Sequence, residues 1–302
     1  MKIGLIDVDG HNFPNLPLMK LSAWHKSQKD EVEWYDPLTA WYNMPDRVYM
    51  SKVFSFSPDY PHPVNAKEII RGGTGYNYPG GGAELQEEIE RIYPDYSIYP
   101  QYTKDTAYGF LTRGCPRGCG FCIVGDKEGR ISSKVADISE FWRGQKNIVL
   151  LDPNITACKD WNELFQQLIG SKAWVDFSQG LDIRLMTEDK AEMLKQMKIK
   201  QVHFAWDKYE DRDRILPRFK AFKDITGWDY RKMTVYVLTG YNTTLEQDLD
   251  RVYTLRDLGY SPYIMIYDKY KKRRGDNLVR LQRWVNSRFA FAAVKRFEDY
   301  KG

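Results

Sequence analysis

The chain has 302 residues, which is room for two ordinary domains, and 42% of them are hydrophobic, enough for packed cores. No apolar run approaches the roughly 20 residues that span a bilayer, so no membrane partner is expected. The four cysteines are too few and too clustered for a disulfide scaffold, and the N-terminal apolar stretch is too short for a signal peptide. These features predict a cytoplasmic protein, whereas the net charge of +4 by itself excludes little.

Residues 1–104 predict a small Rossmann-like α/β domain. Three short buried strands are expected, at residues 2–7, 31–35 and 47–54. A helix is expected from about residue 16, and Pro17 is compatible with it because proline is tolerated in a first helical turn. The strand–helix–strand order favours a parallel sheet. Residues 55–104 are rich in proline, glycine and tyrosine, and we expect one helix there, at residues 83–92, within a long connection.

The loop after the first predicted strand contains Asp9, His11 and Pro14. In a Rossmann-like sheet, ligands bind outside the carboxyl ends of the strands, so this loop lies where a ligand is expected. It resembles the D-x-H-x-x-G loop of cobalamin-binding domains, in which the histidine ligates cobalt, but Pro14 takes the place of the glycine. Proline removes a backbone donor and fixes φ. We therefore predict that cobalamin does not bind tightly and that the domain shapes the entrance of an active site.

Three cysteines, Cys115, Cys119 and Cys122, lie within eight residues, shortly after a predicted strand. Thiolates at this spacing can converge on one soft metal centre. A closed tetrahedral zinc site needs a fourth ligand, but the next cysteine, Cys158, is far along the chain and no histidine is closer. Three thiolates suit an iron–sulfur cubane with one iron left open, and a zinc knuckle or a redox-inert cysteine cluster is the alternative. We expect Cys158 to be a small buried residue.

At these residues the chain resembles the radical S-adenosylmethionine (radical SAM) superfamily, whose hallmark is C-x3-C-x2-C with an aromatic residue, here Phe121, before the third cysteine. The resemblance implies a [4Fe-4S] cluster on the three cysteines and S-adenosylmethionine that chelates the open iron through its amino and carboxylate groups. Reductive cleavage would then give a 5′-deoxyadenosyl radical that abstracts hydrogen from a substrate. The resemblance also implies a reductant protein of the flavodoxin or ferredoxin type.

From residue 105 to residue 268, strands and helices are predicted to alternate. Six strands are expected, at residues 107–111, 147–151, 173–177, 201–205, 234–238 and 263–267. The helices between them begin at Asp160, in a capping box with Glu163, and at the N-caps Thr187 and Thr244. Such a chain forms a parallel sheet that curls into a partial (β/α)6 barrel of TIM type, in agreement with the family, with the chemistry at the carboxyl ends of the strands.

Polar residues follow the second and third of these strands. Asp152 and Asn154 stand where the family holds the amino end of the methionine, and an ammonium group needs such oxygen acceptors. The family's usual Gly-Gly-Glu is absent, so this correspondence is positional. After the third strand, Arg184 is expected to bind the methionine carboxylate bidentately, and Asp182 is expected to contact the ribose or the substrate.

The next two strand ends resemble the family in the same way. Asp207 occupies the acidic position of a segment similar to the family's ribose-binding segment, and Gly240 belongs to a stretch that resembles the one near adenine. Within the sequence there is no second cysteine cluster for an auxiliary iron–sulfur centre, which argues against methylthiotransferases and other two-cluster members. The candidate cofactor-binding residues are therefore Phe121, Asp152, Asn154, Asp182, Arg184, Asp207 and Gly240.

Residues 269–302 hold eleven Lys and Arg against three Asp and Glu, a net charge of +8 that leaves −4 for the rest of the chain. In this basic tail, charged residues alternate with apolar ones such as Leu281 and Trp284, which is an amphipathic helix pattern. Its apolar side is expected to close the open end of the barrel. Its basic side offers contacts to nucleic-acid phosphates, and Trp284 or Tyr270 offers a ring for stacking on bases.

The sequence therefore predicts a radical SAM enzyme of unknown substrate, with a small Rossmann-like domain (1–104), a partial barrel (105–268) and a basic C-terminal cap (269–302). Two alternatives stay open. One is a cobalamin-dependent radical SAM methyltransferase. The other is a non-catalytic, metal-containing nucleic-acid-binding protein that uses the basic tail.

Overall fold

A computed structural model describes residues 1–10, 12–79, 85–273 and 275–302 of the chain. It shows a mixed α/β fold in which the larger sheets are parallel. The strands are β1 (Lys2–Asp7), β2 (Glu31–Trp34), β3 (Arg47–Ser51), β4 (Glu68–Gly72), β5 (Thr106–Gly109), β6 (Thr112–Arg113), β7 (Ser133–Lys134), β8 (Asn147–Leu150), β9 (Trp174–Phe177), β10 (Lys198–Ile199), β11 (Val202–Ala205), β12 (Met233–Thr239) and β13 (Ser261–Ile266). The helices are α1 (Leu16–Ser27), α2 (Thr74–Asn77), α3 (Glu87–Glu90), α4 (Pro100–Thr103), α5 (Val124–Lys127), α6 (Trp161–Ser171), α7 (Glu188–Gln196), α8 (Arg212–Thr226), α9 (Leu245–Asp257), α10 (Asn277–Asn286) and α11 (Arg288–Ala293).

The first sheet has the order β2-β1-β3-β4 and is parallel throughout. Successive side chains of a strand point to opposite faces. Accordingly, Ile3 and Leu5 of β1 pack with Leu18 of α1 on one face, while Ile6 packs with Val48 on the other. The sheet therefore has a small apolar core on each side.

Two predictions in this part of the chain are wrong. Residues 55–104 are predicted to be a connection with one helix, but β4 forms there as a fourth parallel strand. Only residues 87–90 of the predicted helix 83–92 are helical as α3; residues 83 and 84 lie outside the described residues. One turn forms because Ile89 is its only buried side chain, so further turns have no apolar face to bury.

The six strands predicted after residue 105 are present, but they belong to two sheets. One has the order β10-β9-β8-β5, and the other has the order β11-β12-β13. The fourth predicted strand forms as β11, which pairs with β12, and a short strand that was not predicted, β10, precedes it and pairs with β9. Between the sheets, Leu181 N donates to His203 O at 2.8 Å. The described strands thus form two adjoining parallel sheets and no closed barrel.

The helices between these strands begin mostly as expected. The Thr187 hydroxyl accepts from Lys190 N, and Thr244 forms a complete capping box with Gln247. The capping box predicted at Asp160 is wrong: Asp160 is the N-cap of α6, but its backbone has turned away from the extended conformation (φ −89°, ψ 14°) and its side chain caps nothing.

The basic tail packs on the second sheet through its apolar side. Leu281 and Trp284 of α10 are fully buried in the same core as the strands, which confirms that this helix covers the sheet. Asn286 Nδ2 and Gln282 Nε2 both donate to Ile264 O on the outer strand β13, and Asn286 Oδ1 accepts from Ile264 N. These side chains supply the hydrogen bonds that a further strand would have made.

Candidate cofactor site

The three predicted ligands lie on one loop, residues 114–132, which the antiparallel pair β6–β7 closes at its base. Within the loop, Cys115 N donates to Gly129 O at 3.1 Å and Cys122 N donates to Cys119 O at 3.0 Å. Cys115 and Cys119 are half-buried and Cys122 is exposed, whereas a buried Cys158 lies elsewhere, as predicted. Backbone hydrogen bonds thus hold the loop in shape, and all three thiols lie on it.

Gly114 makes the tight entry into this loop possible. Its φ is +84°, and a Cβ atom at this position would lie 2.1 Å from Ile131 O on the returning side of the loop. Only glycine combines a positive φ with so close an approach of two backbone segments. The first cysteine is therefore placed by the residue before it.

Asp152 anchors the start of the loop rather than its interior. Its carboxylate is buried and accepts from Thr112 N at 2.5 Å, from the Thr112 hydroxyl at 2.7 Å and from Leu111 N at 3.1 Å. Burial raises the pKa of Asp152 to about 6, although these three donors oppose the shift. The side chain joins the carboxyl end of β8 to the segment between β5 and the cysteine loop.

A cavity of about 180 Å³ opens beside the cysteines. Eight of the sequence-predicted residues line it: Cys115, Cys119, Phe121, Cys122, Asn154, Asp182, Arg184 and Asp207. The structure thus brings together residues from the cysteine loop and from the ends of β8, β9 and β11. Asp152 and Gly240 are not among its lining residues; Gly240 instead has a positive φ of +74° and faces Leu278.

Asn154 connects the cysteines to the acidic side of the cavity. Its Nδ2 lies 3.5 Å from Cys115 Sγ and 3.4 Å from an Asp182 oxygen. The Thr156 hydroxyl donates to Asn154 Oδ1 at 2.7 Å, which fixes the orientation of the amide. The buried amide can therefore donate toward sulfur.

Carboxylates and guanidinium groups meet on the far side of the cavity. Arg184 Nε donates to Asp182 at 2.7 Å and its Nη1 donates to Asp211 at 2.9 Å. Arg117, between the first two cysteines, reaches the same two carboxylates at 3.9 and 4.0 Å. With Asp207, three carboxylates face two cations, so the group has a formal charge of −1.

Burial is the largest influence on the pKa values of the titratable groups in this cavity. It raises the pKa of Asp182 and of Asp207, and the Arg117 guanidinium opposes the shift in both. Burial also raises the pKa of the Cys119 thiol, again against Arg117. A cationic ligand that replaced water here would favour the ionised carboxylates.

Sequence reasoning missed Arg117 and Asp211, and it named Tyr241 only as a member of the stretch that resembles the one near adenine. Arg117 lies inside the cysteine motif, so its position was a usable signal, whereas Asp211 follows no strand directly and gave none. The Tyr241 ring meets Phe121 edge-on with centroids 5.4 Å apart, and it meets Tyr267 at 4.9 Å. These contacts pack the cysteine loop against the ends of β12 and β13.

The donor set suits an iron–sulfur cubane. A cubane spreads its thiolate ligands over several irons. Three thiols on one loop, with the Asn154 amide beside Cys115, suit this arrangement. Among the described residues, no three His, Cys, Asp or Glu side chains are grouped as ligands of a single ion.

The loop that resembles cobalamin-binding domains is only partly described, because His11 lies outside the described residues. The Asp9 carboxylate accepts from Val53 N at 2.8 Å and from Phe54 N at 2.7 Å. Asp9 thereby ties the end of β1 to the end of β3. The expectation of weak cobalamin binding stays a prediction.

No protein family matches the chain, and none of the curated proteins is similar to it. Among solved structures, the chain is similar to the crystal structure of Streptococcus suis SuiB bound to the precursor peptide SuiA, with 13% sequence identity and a TM-score of 0.41. The alignment covers 62% of this chain and 46% of SuiB, so the chain spans less than half the length of that protein. Within the described residues, no helix is long and apolar enough to cross a membrane.

Proposed function

We propose that the chain is a radical SAM enzyme that binds a [4Fe-4S] cluster and S-adenosylmethionine and cleaves the latter reductively. The observation that carries the proposal is the convergence of Cys115, Cys119 and Cys122 with Asp182 and Arg184 on one cavity at the carboxyl ends of parallel strands. Cys115, Cys119 and Cys122 would hold the cluster, which would supply the electron for this cleavage and so the radical chemistry that removes a hydrogen atom from a substrate. A reductant protein of flavodoxin or ferredoxin type would deliver the electron.

The two adjoining sheets would then form the partial (β/α)6 barrel of TIM type. We also propose the division into residues 1–104, 105–268 and 269–302. The apolar clusters support the first boundary, because those on β1 are separate from the large core that begins at Ala107. That core extends to Phe297, which supports the tail as a cap on the barrel.

The charges of the cavity suit S-adenosylmethionine. Its sulfonium and ammonium groups are cationic, and the carboxylates and guanidinium groups on the far side of the cavity, with a formal charge of −1, attract them. Asp207 and Asp182 offer acceptors to a ribose or an ammonium, while Phe121 contributes an apolar edge. Asp152, with its carboxylate taken by backbone amides, would position the cysteine loop instead of touching the cofactor.

Arg184 is the proposed partner of the methionine carboxylate. Hydrogen bonds within the described chain engage its Nε and Nη1, which leaves Nη2 for a ligand. The carboxylate would therefore meet one nitrogen rather than the two-pronged contact expected from sequence. The same contacts to Asp182 and Asp211 hold the guanidinium in place before the ligand arrives.

The test is chromatography of 5′-deoxyadenosine after reduction of the reconstituted protein with dithionite. We expect formation of the product in the parent and at least about tenfold less in Arg184→Lys, because lysine cannot hold two carboxylates and a ligand together. The matched control is Arg212→Lys, which alters an exposed pair with Asp250 outside the cavity. Equal product from Arg184→Lys and the parent would refute the role of Arg184, and no product from the parent would refute the function.

A further inference from the structure

We propose that a second cavity holds the substrate, and that the substrate is a small molecule with a planar heteroaromatic ring and an acidic group. The inference deepens the proposed function, because it names the substrate class of the same enzyme. It rests on that function for the reaction, but the binding of such a molecule is testable without it.

The second cavity has a volume of about 700 Å³ and lies on the face of β11, β12 and β13 that the end of α10 borders. Cavities of about 300–1,000 Å³ are typical of small-molecule sites. Gln179 and Tyr236 line both this cavity and the one beside the cysteines. A molecule in the larger cavity would therefore lie next to the proposed cofactor site.

Aromatic rings from three neighbouring strands form one wall. The rings of His203 and Tyr236 are stacked, with centroids 5.3 Å apart and an angle of 3° between their planes. Tyr263 meets Tyr236 edge-on at 5.7 Å. Aromatic rings prefer offset stacking and edge-to-face contacts with other rings. This wall therefore favours a planar ring over a saturated one.

His203 adds a requirement for a hydrogen-bonding atom. Its Nδ1 is buried and has no hydrogen-bond partner among the described residues. Burial lowers the pKa of His203, and the nearby Asp176 carboxylate opposes this shift. The Nδ1 atom is closed to solvent and therefore to a ligand, so contact with a ligand would go through the part of the ring that lines the cavity. A neutral imidazole can donate or accept at its second nitrogen, Nε2, according to its tautomer, and a ring nitrogen or oxygen of the ligand would pair with it.

The mouth of the cavity carries a positive charge. Arg288 is the only permanently charged residue among the described lining residues, and it forms no ion pair with a described side chain. Asp176 lies near His203, Lys200 lies near Asp176 with the opposite charge, and neither of the two lines the cavity. An acidic substituent on the ring would therefore be attracted to Arg288.

Three acids of similar size test this proposal by isothermal titration into the reconstituted protein: nicotinate, benzoate and cyclohexanecarboxylate. Nicotinate and benzoate have planar rings, and only nicotinate has a ring nitrogen. We expect nicotinate to bind about fivefold more tightly than benzoate, because one hydrogen bond separates them. Cyclohexanecarboxylate should bind more weakly than both. Equal binding of the three acids, or no binding at millimolar concentration, would overturn the proposal.

Two variants separate the contacts. His203→Phe keeps a ring but removes both ring nitrogens, so nicotinate should lose its advantage over benzoate. Arg288→Gln should weaken all three acids alike, and because Arg288 is exposed this variant does not depend on core packing. The control Arg283→Gln removes an exposed charge from α10 outside the cavity and should change nothing. An unchanged nicotinate preference in a folded His203→Phe, or unchanged binding in Arg288→Gln, would contradict the assignment.

The same preparations are assayed for 5′-deoxyadenosine, which keeps the two proposals apart. Acid binding with no cleavage would refute the radical SAM function and leave the cavity assignment standing. Cleavage without acid binding would refute the cavity assignment and leave the radical SAM function standing.

Discussion

Asp152 shows how one buried side chain can govern the cofactor loop. The folded state raises its pKa from 3.8 to about 6, so the protonated form is favoured by folding. Its contribution to stability is therefore fully present below about pH 4 and is lost as the pH rises through about 6. The expected loss is about 3 kcal/mol, since one pKa unit corresponds to about 1.4 kcal/mol.

The variant Asp152→Asn tests this sign, because asparagine cannot ionise. Between pH 4 and pH 7, the unfolding free energy of the parent should fall by about 3 kcal/mol relative to that of the variant. Urea unfolding at several pH values measures it. A difference that is constant across this range, or that shifts in favour of the parent, would show that Asp152 is not the buried group described.

For single residues, the sequence predicted which residues lie near the cavity better than it predicted which way their side chains turn. Asn154, Asp182, Arg184 and Asp207 follow strands, and the carboxyl ends of parallel strands share an edge, so their convergence was predictable. Asp152 follows a strand in the same way, yet it turns back to Leu111 and Thr112, about 40 residues earlier in the chain. Such a contact depends on which loop packs beside it, and local sequence does not encode that.

Among the elements, the cysteine loop depends on its first turn. Gly114→Ala should prevent the close approach to Ile131 O and lower the iron content of the reconstituted protein by more than half. Gly144 is the matched control: its φ is +94°, but a Cβ there would meet nothing within 4 Å. Gly144→Ala thus introduces the same backbone strain without the clash, at a cost of roughly 1 kcal/mol.

Iron per chain and the urea midpoint of both variants decide this prediction. If Gly114→Ala retains its iron as fully as Gly144→Ala, the tight turn does not place Cys115. The urea midpoint shows whether a loss of iron reflects the loop or general unfolding.

Strands and caps were predictable where burial and side-chain chemistry agree. All six strands after residue 105 begin and end within about two residues of their predicted limits, because each has apolar residues that are buried in the large core. β4 was missed because it is only half-buried and lies in a stretch rich in proline and glycine. β10 was missed because it has only two residues, which are too few for a recognisable strand pattern.

For the whole molecule, the basic tail poses a separate question. Its apolar side is committed to the core, and two of its lysines pair with Asp268 and Asp276. Nucleic-acid binding through its basic side stays a prediction: weak, without sequence preference and steeply salt-dependent, because neutralised phosphates release counterions. Fluorescence anisotropy with labelled single strands over a range of potassium chloride measures it.

The test variant replaces four tail residues with Gln: Lys271, Lys272, Arg273 and Arg274. Its control removes four exposed charges elsewhere: Lys29, Lys104, Lys198 and Lys220. Weaker binding in the tail variant alone would support the tail as a nucleic-acid surface. Equal loss in both would indicate non-specific attraction, and no binding by the parent at low salt would leave the tail a structural cap.

The most direct test of the whole account is the metal content of anaerobically reconstituted protein. We predict about four irons and four sulfides per chain in the parent and in Cys158→Ala, whose thiol is buried away from the loop. Cys115→Ala, Cys119→Ala and Cys122→Ala should each lose the cluster and its brown colour. One zinc per chain in the parent, or full iron and sulfide in all three loop variants, would contradict the assignment of these cysteines.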